Sequence, residues 1–198
     1  MEQRAQLLSR LSRCRPDHQV PGVFLEAVLA SADARGAEVG ELARRQLGDV
    51  GRLVENYRYP VAWMLRMLDV IGQAAEASGE SYGEALFRAG QDAGLAYVRS
   101  TVGRVRILGA MTAGMHRTLE GIPGAASVAV TFGEHSYRRL SPNSGELVFT
   151  QDLIGLAWNA GIVLSSTTAA LAMGPDELKI EGIPTDEDAS SFLLRLNW

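Results

Sequence analysis

Residues 127–150 read SVAVTFGEHSYRRLSPNSGELVFT, and this stretch decides the fold class. Val128, Val130 and Phe132 alternate with Ser127, Ala129 and Thr131, the two-residue period of a half-buried strand. Gly133-Glu134 has the composition of a two-residue hairpin turn, and His135–Leu140 reads as a more polar strand with His135 exposed. Ser141–Ser144 then turns the chain into a third strand, Gly145–Thr150. The same period returns near the C-terminus. Leu178–Ile183 alternates with Lys179 and Glu181, and Phe192, Leu194, Leu196 and Trp198 share one face. The spacing predicts an antiparallel sheet from residues 126–132, 135–140, 145–150, 177–183 and 190–198, packed on an apolar helix at 153–173 that ends at Gly174-Pro175.

Upstream the period is helical. Val61, Met64, Leu65, Leu68, Ile71 and Ala75 follow i, i+3, i+4, i+7 spacing, with Arg66, Asp69, Gln73 and Glu76 opposite. Gly79 stops that helix, and Ser81 with Glu84 forms a capping box for the next. Gly90 and Gly94 lie four apart beside an alanine-rich stripe. Glycine inside a helix costs roughly 1 kcal/mol, so the pair implies close approach of another backbone or a ligand. Residues 2–14 form a short amphipathic helix, another helix begins near Pro21, and a third covers 38–47 before Gly48 and Gly51. The fold class is therefore α+β: an N-terminal helical bundle packed with a small antiparallel sheet (three-strand meander, helix, two closing strands). The expected organisation is a helical extension at 1–20 and a single ligand- or partner-binding domain at 21–198.

Composition narrows the function classes. At 198 residues, with 46% apolar side chains, the chain is long enough for one full core. A net charge of −4 argues against general attraction to nucleic acid or an anionic membrane surface. Cys14 is the sole cysteine, so no internal disulfide forms and no cysteine-based zinc site exists, which fits a reducing cytoplasm. The first 33 residues lack the shape of a signal peptide. The apolar 153–173 stretch contains Asn159, Ser165, Ser166, Thr167 and Thr168, and reads as a buried helix rather than a membrane span.

No residue cluster spells out a reaction. The three histidines, His18, His116 and His135, have no metal-ligand spacing, and the 165–168 hydroxyls lie in a helix without a nucleophile turn. Scattered glycines match no phosphate loop, and the acidic residues 177–188 read as a solvated turn. Four residues are ligand-binding candidates. Arg99 heads a basic stretch with Arg104 and Arg106 that suits a phosphate or carboxylate. His116 sits among apolar helix positions, and Trp63 and Trp158 are of the type that lines an apolar cavity. No catalytic residue, metal ligand or cofactor is expected.

The segments Tyr59-Pro60-Val61-Ala62-Trp63-Met64-Leu65-Arg66-Met67-Leu68 and Ser81-Tyr82-Gly83-Glu84-Ala85-Leu86-Phe87-Arg88-Ala89-Gly90 resemble a paralogous family of unknown function expanded in myxobacteria. Val23-Phe24-Leu25-Glu26-Ala27-Val28-Leu29 fits its N-terminal signature, and the Gly161 helix with two strands ending at Trp198 its C-terminus. The resemblance spans roughly residues 20–198. That family in turn is distantly similar to haem-nitric-oxide-binding and vinyl-reductase-type ligand-binding domains, which implies a sensory or scaffold role with a cavity between helices and sheet. Haem-binding relatives use a Tyr-x-Ser-x-Arg run. Tyr97-Val98-Arg99-Ser100 and Tyr137-Arg138-Arg139-Leu140 both depart from it, so haem is not expected.

The reading that follows is a non-enzymatic cytoplasmic sensory or signalling module that binds a small apolar ligand or a partner protein. Self-association as a homodimer through the Gly90 and Gly94 face is also expected. A homodimeric adaptor without ligand, and an enzyme acting on a small apolar substrate in the helix–sheet cavity, are the alternatives.

Overall fold

Two short strands organise the helical half. The computed structural model describes residues 2–48, 50–110, 114–174 and 176–198, with 106–110 as backbone only, so the Arg106 side chain and Pro175 lie outside it. Helix α1 (Glu2–Ser12) leads to β1 (Gln19–Pro21), α2 (Gly22–Ala34) and α3 (Ala37–Arg44). Then come β2 (Arg58–Pro60), α4 (Val61–Ala77) and α5 (Tyr82–Arg99). β1 and β2 pair antiparallel, and each runs straight into a helix through its proline. Proline fixes the extended exit of the strand, and the first amides of each helix find acceptors around the ladder. Gly22 N donates to Tyr57 O at 2.9 Å, and Val61 N to His18 O at 2.9 Å. No alternation announces strands this short, so the periodicity misses them.

The strongly amphipathic helix falls where expected. α4 buries Met64, Leu65, Leu68 and Ile71 and leaves Gln73 in solvent. The capping at the start of α5 is present, with Glu84 N donating to Ser81 Oγ at 3.1 Å. α6 (Thr101–Ala110) and α7 (Gly114–Ala129) follow. α7 overturns the expected first strand at 126–132. The helix continues through Pro123 to Ala129, and Val128, assigned to the sheet interior, is 57% exposed. Only the end of the pattern leaves the helix. Val130 and Phe132 are buried and Thr131 points out, but this segment lies beside β1, where Gln19 N donates to Thr131 Oγ1 at 2.8 Å. The alternation at 127–129 was therefore an accident of alanine and serine on a helix surface. The three-strand meander is a two-strand hairpin, and Gly133, at φ +71°, starts a strand instead of joining two.

The sheet contains β3 (Glu134–Ser141), β4 (Ser144–Thr150), β5 (Lys179–Pro184) and β6 (Phe192–Asn197), in the order β3-β4-β6-β5 and antiparallel throughout. Phe192, Leu194 and Leu196 are fully buried, as the closing-strand pattern requires. α8 (Leu156–Leu171) lies between sheet and helices and crosses α5 at backbone contact. A Cβ on Gly90 would come 2.1 Å from Trp158 O, and one on Gly161 would come 2.1 Å from Phe87 O. Gly94 likewise abuts Ser165 and Ile162. The close approach implied by the Gly90 and Gly94 spacing is thus used within the chain, and this face is not available for a dimer. Among the described residues, no helix is long and apolar enough to cross a membrane.

Candidate functional site

An apolar cavity of about 120 Å³ lies where α8 meets α7 and the sheet. Its floor is Trp158, Ile162 and Val163 of α8, and Ala125, Ala126 and Ala129 of α7 form the opposite wall. Small side chains along α7 leave the space. Phe24 from α2 closes one side, edge-on to Trp158 with ring centroids 5.2 Å apart. The placement follows from the sequence of α8. Gly161 lets α5 press against α8 at backbone contact, and Trp158, Ile162 and Val163 of the same helix line the cavity.

Three polar groups converge on this apolar space. His135, on β3, is not at an exposed position: its side chain is 5% exposed, and its ring packs edge-on to Phe149 at 4.9 Å. His135 Nε2 lies 3.5 Å from Asp152 Oδ2. The other carboxylate oxygen, Oδ1, accepts from Ile154 N at 2.8 Å, Gly155 N at 2.7 Å and Asn159 Nδ2 at 3.0 Å. Asp152 thereby satisfies free amides ahead of α8, which fixes it beside the imidazole. The third group is Trp158 Nε1, buried and without a hydrogen-bond partner among the described residues. Leaving a buried donor unpaired costs roughly 1–3 kcal/mol.

Arg10 supports the turn from behind. It is 4% exposed and donates from Nε to Leu153 O at 3.2 Å, from Nη2 to Ile154 O at 3.3 Å, and to Asp188 O. Burial pushes its pKa down from the usual arginine value, against the pull of Asp152 and Asp188. Gly155, at φ +97°, has no side chain because the guanidinium occupies the place where a Cβ would sit.

Of the four candidates from sequence, only Trp158 lines the cavity. Trp63 is half-buried against Tyr59 on α4, with ring centroids 6.1 Å apart, and Arg99 is exposed at the end of α5. His116 is elsewhere, on α7 against the hairpin. Its Nε2 donates to Pro142 O at 3.0 Å, so Nδ1 is the acceptor for the Tyr137 hydroxyl, and its ring meets Trp198 edge-on. Burial raises the Tyr137 pKa, which keeps that hydroxyl a donor. His135 and Asp152 were missed, although two signals point to them. His135 shares the inner strand face with Tyr137, and Asp152 sits three residues before Gly155, where a helix start needs a capping acceptor.

The model of a family described only as protein of unknown function, DUF2378, matches residues 13–198. The chain belongs to this family. No curated protein matches it. Solved structures with the same fold are H-NOX proteins. One from S. oneidensis in the Fe(II) ligation state is 12% identical with a TM-score of 0.66, covering 89% of this chain and 95% of that one. A doubly substituted Tt H-NOX is 11% identical with a TM-score of 0.62, covering 90% and 94%. An Fe(II) unliganded H-NOX variant from K. algicida is 13% identical with a TM-score of 0.58, covering 89% and 95%. At these identities the likeness is one of fold.

Proposed function

We propose that this DUF2378 protein is a non-enzymatic sensory module that binds a small, largely apolar ligand in the cavity between α7, α8 and the sheet. The observation that supports it is an apolar space lined by Trp158, whose indole N–H is buried and unpartnered, and by an imidazole–carboxylate pair. A mostly apolar pocket with a few convergent polar groups is the usual form of a small-molecule site. Binding there bridges the helical half and the sheet, so occupancy is felt by both, which is the basis for a signalling role in the cytoplasm.

The H-NOX likeness raises haem, and the residues do not fit it. A porphyrin carries four pyrrole rings, several times what a cavity of about 120 Å³ can hold. The ring nitrogens of His116 are both engaged, and His135 Nε2 lies 3.5 Å from Asp152 Oδ2. The enzyme reading finds an oriented imidazole but no activated nucleophile: Ser166 Oγ, which also lines the cavity, donates to Val163 O at 3.5 Å and makes no hydrogen bond to His135. The adaptor reading loses its motivating surface, since Gly90 and Gly94 face α8.

Phenol, one ring with a hydroxyl, is the direct probe. Calorimetric titration and the emission of the tryptophans should show saturable one-to-one binding. Ala126→Leu, which fills the cavity from α7, should abolish it while the circular dichroism spectrum stays unchanged. No saturable phenol binding to the folded wild-type protein rejects the reading.

A further inference from the structure

A second chamber adjoins the first. It has a volume of about 230 Å³ and is lined by Pro21, Val23, Val102 and Val128, with Asn56, Ser100 and Arg58 as its polar groups. Tyr97, Ala125 and Ala129 line both chambers, so one aromatic ring and two methyl groups form the partition. Val102 is 38% and Val128 57% exposed, so this chamber, the outer of the two, opens at the surface. Together the two reach the lower end of the roughly 300–1,000 Å³ typical of ligand sites.

Arg58 gives the outer chamber its chemistry. Its guanidinium donates from Nη1 to Ala129 O at 3.2 Å and from Nη2 to Val128 O at 2.5 Å, closing the C-terminal end of α7. A guanidinium has five N–H donors, so donors remain beyond these two. Among the described residues no carboxylate pairs with Arg58, and no acidic side chain lines the chamber. Neighbouring Glu55 is committed, accepting from Thr101 N at 2.9 Å. In a chain with net charge −4, a half-buried, acid-free arginine beside an apolar chamber is a complementary site for an anion.

We infer that the ligand is an apolar carboxylate: its ring or short chain fills the inner cavity and its carboxylate is held by Arg58 in the outer chamber. This rests on the inner-cavity reading and adds the headgroup to it. The same guanidinium that grips the carboxylate also holds the carbonyl end of α7, so the ligand is tied to that helix at both ends.

The test compares 3-phenylpropanoate with 3-phenyl-1-propanol at neutral pH, titrated into the full chain, with phenol displacement reporting the inner cavity. The acid should bind about tenfold or more tightly than the alcohol, the ratio expected when a charge-assisted hydrogen bond is made. Raising the sodium chloride concentration should weaken the acid and leave the alcohol unchanged. Arg58→Gln, which keeps an amide donor for α7, should equalise the two probes without weakening the alcohol. Arg58→Lys should retain an intermediate preference. If Arg58→Gln fails to fold, the wild-type acid-to-alcohol ratio and its salt dependence still decide. Equal affinity of acid and alcohol overturns the carboxylate inference while leaving the cavity reading standing. Binding of neither probe while phenol still binds also overturns the carboxylate inference alone, and absence of phenol binding overturns both.

Discussion

Glu146 and His135 show how single side chains escape a reading of the sequence. Both occupy strands whose alternation is visible, but what surrounds each comes from strands distant in the chain. Glu146 is almost fully buried on the outer sheet face between Arg138 and Arg195, directly opposite it on β3 and β6, and Arg195 Nη2 is 2.8 Å from Oε1. Hydrogen bonds from Arg138 and then Arg195 hold its carboxyl below the usual carboxylate value of about 4.5. A carboxyl with a lowered pKa in the folded state stabilises the fold fully above its unfolded value, and that contribution disappears as pH falls through the folded value. Urea midpoints measured from neutral pH to about pH 3 should therefore fall less steeply in Glu146→Gln than in the wild type. Parallel curves for the two proteins would show that the arginines do not discriminate the ionised form. His135 was misplaced for the complementary reason. A polar strand start looks exposed until Phe149 and Asp152 are seen to close over it.

At the level of elements, legibility followed the length and strictness of the pattern. α4 repeats its apolar stripe over four turns, and its bounds and buried face were readable. The 127–132 alternation is six residues long and rests on Ala129 and Ser127, which suit a helix surface as well as a strand, and as far as Ala129 it is helix. Glycines within helices gave a better signal. The costs of Gly90 and Gly94 implied a close backbone or a ligand, and α8 supplies the backbone, with Gly161 on its own side of the contact. Gly161→Ala should therefore destabilise by at least about 1–3 kcal/mol, because the helices must separate to admit the methyl group. Gly121→Ala, at a position of α7 with nothing within 4 Å of the added carbon, should stabilise by about 0.5–1 kcal/mol through helix propensity alone. Opposite signs in chemical denaturation are the expected result, and a stabilising Gly161→Ala would mean that α5 and α8 do not touch there. The candidate site was mostly illegible on the same grounds. Trp158 was readable as an aromatic on an apolar helix, but its cavity is made by alanines of α7 that carry no signal of their own.

Across the whole molecule, the N-terminal helix joins regions far apart in sequence. α1 seats Leu7 in the helical core and sends Arg10 to the 153–154 and 188 backbones, so one side chain ties the first element to the turn holding Asp152 and to the loop before β6. Salt bridges at its ends, Arg4 to Asp69 at 2.9 Å and Arg13 to Asp188, are half-exposed and worth little by comparison. The carbonyls of Leu153, Ile154 and Asp188 would lose a charged donor in Arg10→Met, while the aliphatic volume would be largely kept. The expected loss is roughly 3 kcal/mol, the upper end for hydrogen bonds to a charged group, which corresponds to about 6–12 °C in the melting temperature of a chain this long. Because Arg10 braces the turn that positions Asp152 beside His135, the variant should also bind phenol more weakly at temperatures where it remains folded. Thermal unfolding followed by circular dichroism, paired with phenol titration well below the transition, separates the two effects. A melting temperature within about 2 °C of wild type, less than the shift for 1 kcal/mol at this size, would show that α1 is held by its leucines alone and that the turn keeps its shape without the guanidinium.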